Sequence, residues 1–171
     1  MSKKSQSGFS LLEILISVVV ISFGLLSLAG LQMTSVKGVN NAHSENTASM
    51  LIMELSERMR ANPKAVADGI YGRKVSCATE VRNCRGTEVC SYEETALFDL
   101  KEVMCGTTVN NVSQGGAQNL LPQGTMNIVC VGGCDIPDVA HRITVSWSAN
   151  ALSEGQSESS TMSHLTTAII P

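Results

Sequence analysis

Near its start the chain reads Ser7-Gly8-Phe9-Ser10-Leu11-Leu12-Glu13, and these residues open an apolar run that continues to Met33. Glu13 is the one charged residue in that run. A carboxylate inside a membrane-spanning helix costs up to about 2.5–3.5 kcal/mol on insertion scales, so another interaction must offset it. We expect a positive charge that is met only when this helix packs beside another helix. The segment therefore predicts a subunit that is embedded in a membrane and then assembled.

Lys3 and Lys4 precede the apolar run, and the small residue Gly8 stands before the run rather than after it. A secretory signal peptide has its small-residue cleavage site after the apolar core. Cleavage at Gly8 would instead remove a short charged leader, residues 1–8, and leave the helix attached. The alternative is an uncleaved anchor, since about 20 apolar residues span a bilayer and the lysines would hold the N-terminus in the cytoplasm. That alternative leaves Glu13 unexplained.

The composition predicts one domain of ordinary size after the apolar segment. The chain has 171 residues, and only 4% of them are aromatic, so any core is modest. The formal net charge is −3, and it becomes −5 when Lys3 and Lys4 are removed with the leader. A chain without a basic patch is not expected to bind nucleic acid.

Six cysteines all lie beyond the apolar segment. An even number on one side of a membrane segment predicts an oxidising compartment, such as a periplasm or the cell exterior. Zinc is a competing use of Cys130 and Cys134, whose spacing is tolerable for ligands, but the sequence offers no Cys-x-x-Cys partner and no nearby His pair, so we expect no metal and no cofactor. Close spacing favours three pairs among the many connectivities that six cysteines permit: Cys84–Cys90, Cys130–Cys134 and, as the remainder, Cys77–Cys105.

The helix should continue well past the membrane, because no proline occurs before Pro63 and a helix ends at or before the residue that precedes a proline. Glu54 and Arg58 form a favourable i, i+4 pair on its polar side. We predict a transmembrane part over residues 9–35, an amphipathic part over 36–62 and a globular part over 63–171. An apolar stripe at helical spacing predicts the face that packs on the globular part: Ala48, Leu51, Ile52, Leu55 and Met59.

The globular part combines loops, one short helix and strands. We expect a disulfide-pinned loop over residues 65–92, a helix over 93–103, and a loop or irregular second helix over 107–123. An exposed hairpin loop should cover 149–160. Alternation with a period of two predicts antiparallel strands through three sets of residues: Met126, Ile128 and Cys130; Ile143, Val145 and Trp147; and Leu165, Thr167 and Ile169. The predicted class is α+β, with a long N-terminal helix packed on a small antiparallel sheet.

Candidate catalytic groups do not form a recognisable constellation in the sequence. His43, His141 and His164 are widely separated and lack a nucleophile elbow such as Gly-x-Ser-x-Gly, so we interpret them as surface or partly buried structural residues. The carboxylates of Glu93, Glu94 and Asp99 are interpreted as one solvated helix face. The sequence therefore predicts a protein that is not an enzyme.

The residues from Ser7 to Glu13 resemble the processing motif of type IV prepilins and type II secretion pseudopilins. The resemblance implies that a prepilin peptidase cuts between Gly8 and Phe9 and that Phe9 is then N-methylated. It also implies that Glu13 neutralises the terminal amine of a neighbouring subunit in the assembled fibre. This fits the physical argument, because two groups that are each costly in lipid become tolerable as a close pair.

Two further segments resemble the PilV group of minor pilins, also called type IV pilus modification proteins. They are the segments at 24–32 and 57–63, which read GLLSLAGLQ and ERMRANP. The resemblance implies a low-abundance subunit that promotes initiation of a type IV pilus, with roles in twitching motility and adhesion. Its implied partners are other minor pilins, the major pilin, the inner-membrane assembly platform and a tip adhesin. Its implied location is the inner membrane, with the globular part in the periplasm, and then the extracellular pilus.

Two alternatives share the same N-terminal motif. A minor pseudopilin of a type II secretion system would differ in its neighbouring genes and in a secretion defect on deletion. A competence pseudopilin would bind DNA and would need an electropositive patch, which the acidic balance of this chain disfavours.

Overall fold

The structure is a computed structural model that describes residues 10–86, 89–109, 112–134, 139–149 and 161–169. Two compact units make up the chain, Met1–Val39 and Asn40–Pro171. One helix, α1 (Leu11–Ala61), belongs to both. The α+β class is confirmed, because this long helix is followed by a small antiparallel sheet in the second unit.

Helix α1 ends at Ala61, which confirms the end predicted from Pro63. Within the second unit its stripe of buried apolar residues is also as predicted, and Ala48, Leu55 and Met59 are fully buried. The same stripe includes Ser56, whose hydroxyl donates to the carbonyl of Ile52 at 2.7 Å. That bond satisfies a buried hydroxyl without a partner from another element.

A second short helix, α2 (Pro63–Ala67), starts immediately after α1. Asn62 separates the two helices, and its side-chain oxygen accepts from the backbone N–H of Ala65 at 3.4 Å. Pro63 occupies the first turn of α2, where its missing N–H costs no hydrogen bond. A 3₁₀ helix follows at Ile70–Gly72. The prediction of a continuous loop from residue 65 was therefore wrong at its start, because these helices are too short to show a period in the sequence.

Helix α3 (Tyr92–Cys105) contains the helix predicted over residues 93–103. It begins with a capping box in which Ser91 accepts from the N–H of Glu94, and the Glu94 side chain accepts from the N–H of Ser91. These two reciprocal bonds fix the start of the helix one residue earlier than predicted. Glu94 is thereby committed to the cap, and backbone hydrogen bonding from Ser91 lowers the pKa of its carboxyl.

The segment from Thr107 to Gln123 was predicted as a loop or an irregular helix, and that prediction was only partly right. The structure has two short antiparallel strands, β1 (Thr107–Val109) and β2 (Val112–Gln114), followed by a short helix, α4 (Ala117–Leu120). Gly106 lies at the base of this hairpin with a φ of 73°, and a Cβ there would stand 2.2 Å from the carbonyl oxygen of Gln114. This hairpin depends on a close approach of two backbone segments at a glycine rather than on alternating apolar side chains, so the sequence carries no hydrophobic period that would predict it.

The main sheet has three antiparallel strands in the order β3 (Thr125–Cys130), β4 (His141–Ala149) and β5 (Thr161–Ile169). All three strands were predicted, and on β4 the inward residues Ile143, Val145 and Trp147 are buried as expected. Ala149 is the last residue of β4, and the rest of the predicted hairpin loop lies outside the described residues. The buried faces of α1, α3 and the sheet contribute to one hydrophobic core within the second unit.

Candidate assembly surface and its supporting structure

The first unit exposes apolar side chains on all sides of α1. Leu11, Phe23 and Leu31 are each about two-thirds exposed or more, and so are many of their neighbours. Among the described residues one helix is long and apolar enough to cross a membrane, and its most apolar window has a mean hydropathy of 2.6. Water would penalise this surface, whereas lipid or neighbouring helices would cover it.

Four hydroxyl groups within this apolar surface are satisfied by the helix itself. The hydroxyls of Ser17, Ser22, Ser27 and Thr34 each donate to the carbonyl oxygen four residues earlier, at 2.7–3.2 Å. Such bonds remove the cost of carrying hydroxyl groups into a medium without water. The arrangement suits a helix that contacts lipid or packs closely against other helices.

Glu13 lies in the first turn of α1 and is exposed. A carboxylate there is stabilised by the helix dipole, typically by about 0.3–1 kcal/mol, which is too little to offset its burial in lipid. Its predicted partner, the amine of Phe9 from another subunit, and the cleavage site at Gly8 lie outside the described residues. The cationic partner of Glu13 therefore stays a prediction from the sequence.

The structure brings the six cysteines together as three disulfides: Cys77–Cys105, Cys84–Cys90 and Cys130–Cys134. These are the pairs that spacing favours. The first links the loop after the 3₁₀ helix to the end of α3, and the third closes the turn at the end of β3. Among the described residues no group of three His, Cys, Asp or Glu side chains is placed to hold a metal ion.

A charged cluster joins α1 to α3 and was not anticipated from the sequence. The guanidinium of Arg58 lies 2.7 Å from Glu54, as the i, i+4 spacing predicts, but it also contacts α3. Its Nη1 donates to Asp99 and to Glu102, both at 2.9 Å. The hydroxyl of Tyr71 donates to the other Asp99 oxygen at 2.9 Å. One carboxylate thus holds α1, α3 and the 3₁₀ helix together.

The interpretation of Asp99 as part of a solvated face was wrong, since Asp99 is only 7% exposed. A buried carboxylate is tolerated because Arg58 and Tyr71 both donate to it. Burial alone would lower the pKa of Arg58, but its hydrogen bonds to Asp99 and Glu54 outweigh that effect and raise it. Burial, followed by the charge of Asp99, raises the pKa of the Tyr71 phenol well above its usual range. Both shifts favour the charged guanidinium and the neutral phenol that donate to Asp99. We therefore interpret Arg58, Asp99 and Tyr71 as a structural cluster, called the lock below, rather than as an acid–base pair.

Replacing Arg58 should therefore destabilise the second unit. We expect Arg58→Met to lower the free energy of unfolding by about 3 kcal/mol, because Asp99 would stay buried without its cation. Fluorescence of Trp147, the only tryptophan and 3% exposed, reports the transition in urea titrations of the detergent-solubilised chain. The matched control is Arg60→Met. Arg60 pairs with Glu57 at 2.6 Å, but both side chains are more than half exposed, so the change should stay within about 0.5 kcal/mol. Equal losses in the two variants would contradict the lock.

The three histidines lie in different settings. His43 on α1 and His164 on β5 are exposed, in agreement with the prediction of surface residues. His141 is fully buried rather than partly so, and it is the cross-strand partner of Cys130. Its Nδ1 lies 3.0 Å from the carbonyl oxygen of Val139. Burial lowers the pKa of His141, so the folded chain holds it as a neutral ring.

His141 should make stability depend on pH in the mildly acidic range. The unfolded chain binds a proton at His141 near the ordinary pKa of about 6.5, whereas the folded chain resists it, so unfolding takes up a proton. The contribution of neutral His141 to the free energy of unfolding should be fully present above about pH 6.5. Below that pH the free energy of unfolding should fall by at most about 1.4 kcal/mol per pH unit, until the pKa of His141 in the folded chain is reached. Urea titrations between pH 7.5 and 5.5 measure this. His141→Phe should flatten the dependence, whereas His164→Phe should preserve it; a slope that survives in His141→Phe would refute the assignment.

Comparison with known proteins adds two family matches. A family model described as Tt1218-like, type IV pilin Tt1218, matches residues 30–101. The model of the prokaryotic N-terminal methylation motif matches residues 3–29. No curated protein and no solved structure matches the chain significantly.

The two matches adjoin and together run from the leader into α3. They cover both the exposed apolar helix and its amphipathic continuation, the two features that the structure shows most clearly. Processing by a prepilin peptidase and assembly with other pilins are what such a motif implies for a membrane-anchored chain. By its motif, its helix and its fold, the chain belongs to the type IV pilins and pseudopilins, a superfamily of structural subunits.

Proposed function

We propose that this chain is a PilV-like minor pilin that promotes initiation of a type IV pilus, within a priming complex at its tip. The observation that carries the proposal is the segment at 57–63. This segment resembles the PilV group and forms a compact joint in the structure. Arg58 enters the cluster with Asp99, Asn62 caps α2, and Pro63 starts it. The residues that carry the resemblance are therefore the ones that make these contacts, and this supports the assignment to the PilV group within the superfamily.

The joint also ties α1 to the start of α3. The Asn62 side-chain amide donates to the carbonyl of Tyr92 at 2.7 Å, and the Lys64 ammonium lies 4.2 Å from the centre of the Tyr92 ring. A subunit that starts a fibre has to keep its globular part fixed on the amphipathic half of α1 while other subunits pack beside it. The contacts of Asn62, Lys64 and Arg58 favour such a fixed arrangement.

The proposed life cycle has two stages. Before assembly the apolar part of α1 lies in the inner membrane, with the disulfide-bonded domain in the periplasm. After cleavage between Gly8 and Phe9 and methylation of Phe9, the subunit leaves the membrane, and Glu13 pairs with the terminal amine of a neighbour. Other minor pilins, the major pilin, the inner-membrane platform and a tip adhesin are its proposed partners.

Deletion and complementation in the source prokaryote test the proposed role. We expect the deletion strain to lose most surface pili and twitching, and plasmid-borne wild type to restore both, as counted by electron microscopy and measured by motility at a surface. Secretion of exoproteins and retention of DNA by the solubilised chain are assayed in parallel. Normal piliation with a secretion defect would assign the chain to a type II secretion system, and DNA retention would favour a competence pseudopilin; either result would overturn the proposal.

A further inference from the structure

The disulfide between Cys130 and Cys134 has a buried histidine as its neighbour. Cys130 ends β3, His141 begins β4, and the two residues are directly paired across the strands. The His141 Nε2 lies 3.6 Å from the Cys130 sulfur, and the ring is fully buried. No family match reaches this part of the chain.

The hydrogen bond on the other side of the ring fixes the tautomer of His141. The Val139 carbonyl at 3.0 Å from Nδ1 can only accept, so Nδ1 carries the proton when the ring is neutral. Nε2 is then unprotonated, and its lone pair faces the Cys130 sulfur. A base in that position has no use for an intact disulfide, but it would hold the proton of a Cys130 thiol or pair with its thiolate.

The two cysteines of this disulfide differ in their exposure to solvent. Cys130 is 8% exposed, whereas Cys134 is partly exposed at the end of a turn through Gly132 and Gly133. Both glycines have positive φ values, 94° and 111°, which other residues rarely adopt. An incoming thiolate can therefore approach Cys134, and the sulfur that leaves is Cys130, the one beside His141.

From this geometry we propose that Cys134 is a thiol-exchange site and that Cys130, stabilised by His141, is its leaving group. A thiolate of an external dithiol attacks the Cys134 sulfur and forms a mixed disulfide. The Cys130–Cys134 bond breaks, and its electron pair stays on the Cys130 sulfur, which shares a solvent-derived proton with Nε2 of His141. The second thiol of the dithiol, as thiolate, then attacks the first sulfur of the dithiol, which is bonded to Cys134 in the mixed disulfide. This closes a disulfide within the dithiol and releases the Cys134 thiolate. The dithiol is oxidised by two electrons, and the cysteine pair is reduced by two.

The reaction partner is defined by this chemistry as a dithiol, of the kind that thiol–disulfide oxidoreductases carry. A leaving thiol of low pKa leaves faster, and stabilising the reduced form makes a disulfide easier to reduce. His141 supplies both effects to Cys130 alone. It positions and stabilises the leaving group and does not itself touch the incoming thiol.

Exchange at this site would also act on the neighbouring 3₁₀ helix. A Cβ built on Gly69 would lie 2.5 Å from Cys134 Cβ, and one built on Gly72 would lie 3.1 Å and 3.2 Å from the two sulfurs. The helix Ile70–Gly72 thus packs directly on the bond that breaks. It also carries Tyr71, whose hydroxyl donates to Asp99 in the cluster that joins α1 to α3.

A dithiothreitol titration of the full-length chain in detergent tests the proposal. Differential alkylation followed by peptide mass spectrometry reports each disulfide separately. The Cys84–Cys90 pair is the internal control because it closes a loop of similar length. With the concentration of oxidised dithiothreitol held constant, we expect Cys130–Cys134 to be half reduced at a dithiol concentration about tenfold lower than Cys84–Cys90, which is about 30 mV for a two-electron couple. Reduction of both pairs at the same concentration would overturn the proposal.

Variants of the ring identify the role of His141. His141→Phe should raise the concentration needed to open Cys130–Cys134 at least threefold, whereas His164→Phe, on the exposed face of β5, should leave it unchanged. If the phenylalanine variant fails to fold, His141→Gln is measured instead. An unchanged midpoint in the folded variant would refute the role of the ring.

The wild-type chain itself reveals which sulfur is attacked. Treatment with glutathione, a monothiol that stops at the mixed disulfide, should place its adduct on Cys134 at least tenfold more often than on Cys130. Equal adducts, or a preference for Cys130, would contradict the proposed direction of attack. This measurement needs no variant, so it decides the question even where the substitutions disturb folding.

Discussion

The Gly8→Ala variant should accumulate at full length in the membrane fraction, with residues 1–8 still attached. The processing motif implies cleavage directly after Gly8. Alanine would add a Cβ to the residue directly before the cleaved bond, and the peptidase would have to accommodate it. We expect the processed fraction to fall at least tenfold. Intact-mass spectrometry of the purified chain measures it, since the wild type should begin with an N-methylated Phe9.

Gly24→Ala is the matched control for this variant. Gly24 lies in the interior of α1, and a Cβ built there meets nothing within 4 Å. The substitution therefore adds a methyl group to α1 without touching the motif, and alanine favours a helix by about 1 kcal/mol. We expect normal processing of this variant. If Gly8→Ala were cut as completely as Gly24→Ala, Gly8 would not direct the cleavage and the assigned processing site would be wrong.

Local periodicity was sufficient to predict the elements that pack on the core. Short-range spacing in the sequence predicted three features, and the structure confirms all of them. They are the buried stripe from Ala48 to Met59, the end of α1 at Ala61 and the alternation on β4. Features that depend on one helix or one strand are accessible to sequence reasoning because their energetics are set by neighbours along the chain.

The elements that sequence reasoning missed depend on contacts between distant residues. The β1–β2 hairpin is held where Gly106 and Gly116 allow two backbones to approach, since a Cβ on Gly116 would lie 2.1 Å from the nitrogen of Gly106. Asp99 looked like one of several surface carboxylates because its partner Arg58 is 41 residues away. A signal was present nonetheless: Asp99 directly precedes Leu100 on the apolar side of α3, where an unpaired carboxylate is costly.

His141 shows the same limit. We interpreted it as a surface or partly buried residue, whereas on β4 it shares the inward face with Ile143 and Val145 and is fully buried. Spacing alone did not reveal that the inward face at that end would be closed by a disulfide. The chemistry proposed for Cys130 and Cys134 arises from this combination of strand register and disulfide position, which no single segment of the sequence contains.

The Glu13→Ala variant should be cleaved and inserted normally but should fail to enter pili. Assembly places the terminal amine of Phe9 inside a bundle of apolar helices, where an unpaired charge costs about 3 kcal/mol or more. That cost corresponds to about a hundredfold in an equilibrium constant. Quantitative immunoblots of sheared fibres against membranes should show a loss of this order in the pilus fraction.

Insertion and assembly respond to Glu13→Ala in opposite directions, which makes the variant a strict test. Removing the only charge between Leu11 and Val36 lowers the cost of placing α1 in a bilayer, so membrane insertion should be equal or better. Glu45→Ala, which removes an exposed carboxylate from the same helix beyond the apolar run, is the control and should assemble normally. Normal incorporation of Glu13→Ala would mean that the amine finds another partner. A loss of insertion would mean that the carboxylate serves the single helix, and in either case pairing between subunits could not explain why α1 carries a charge in lipid.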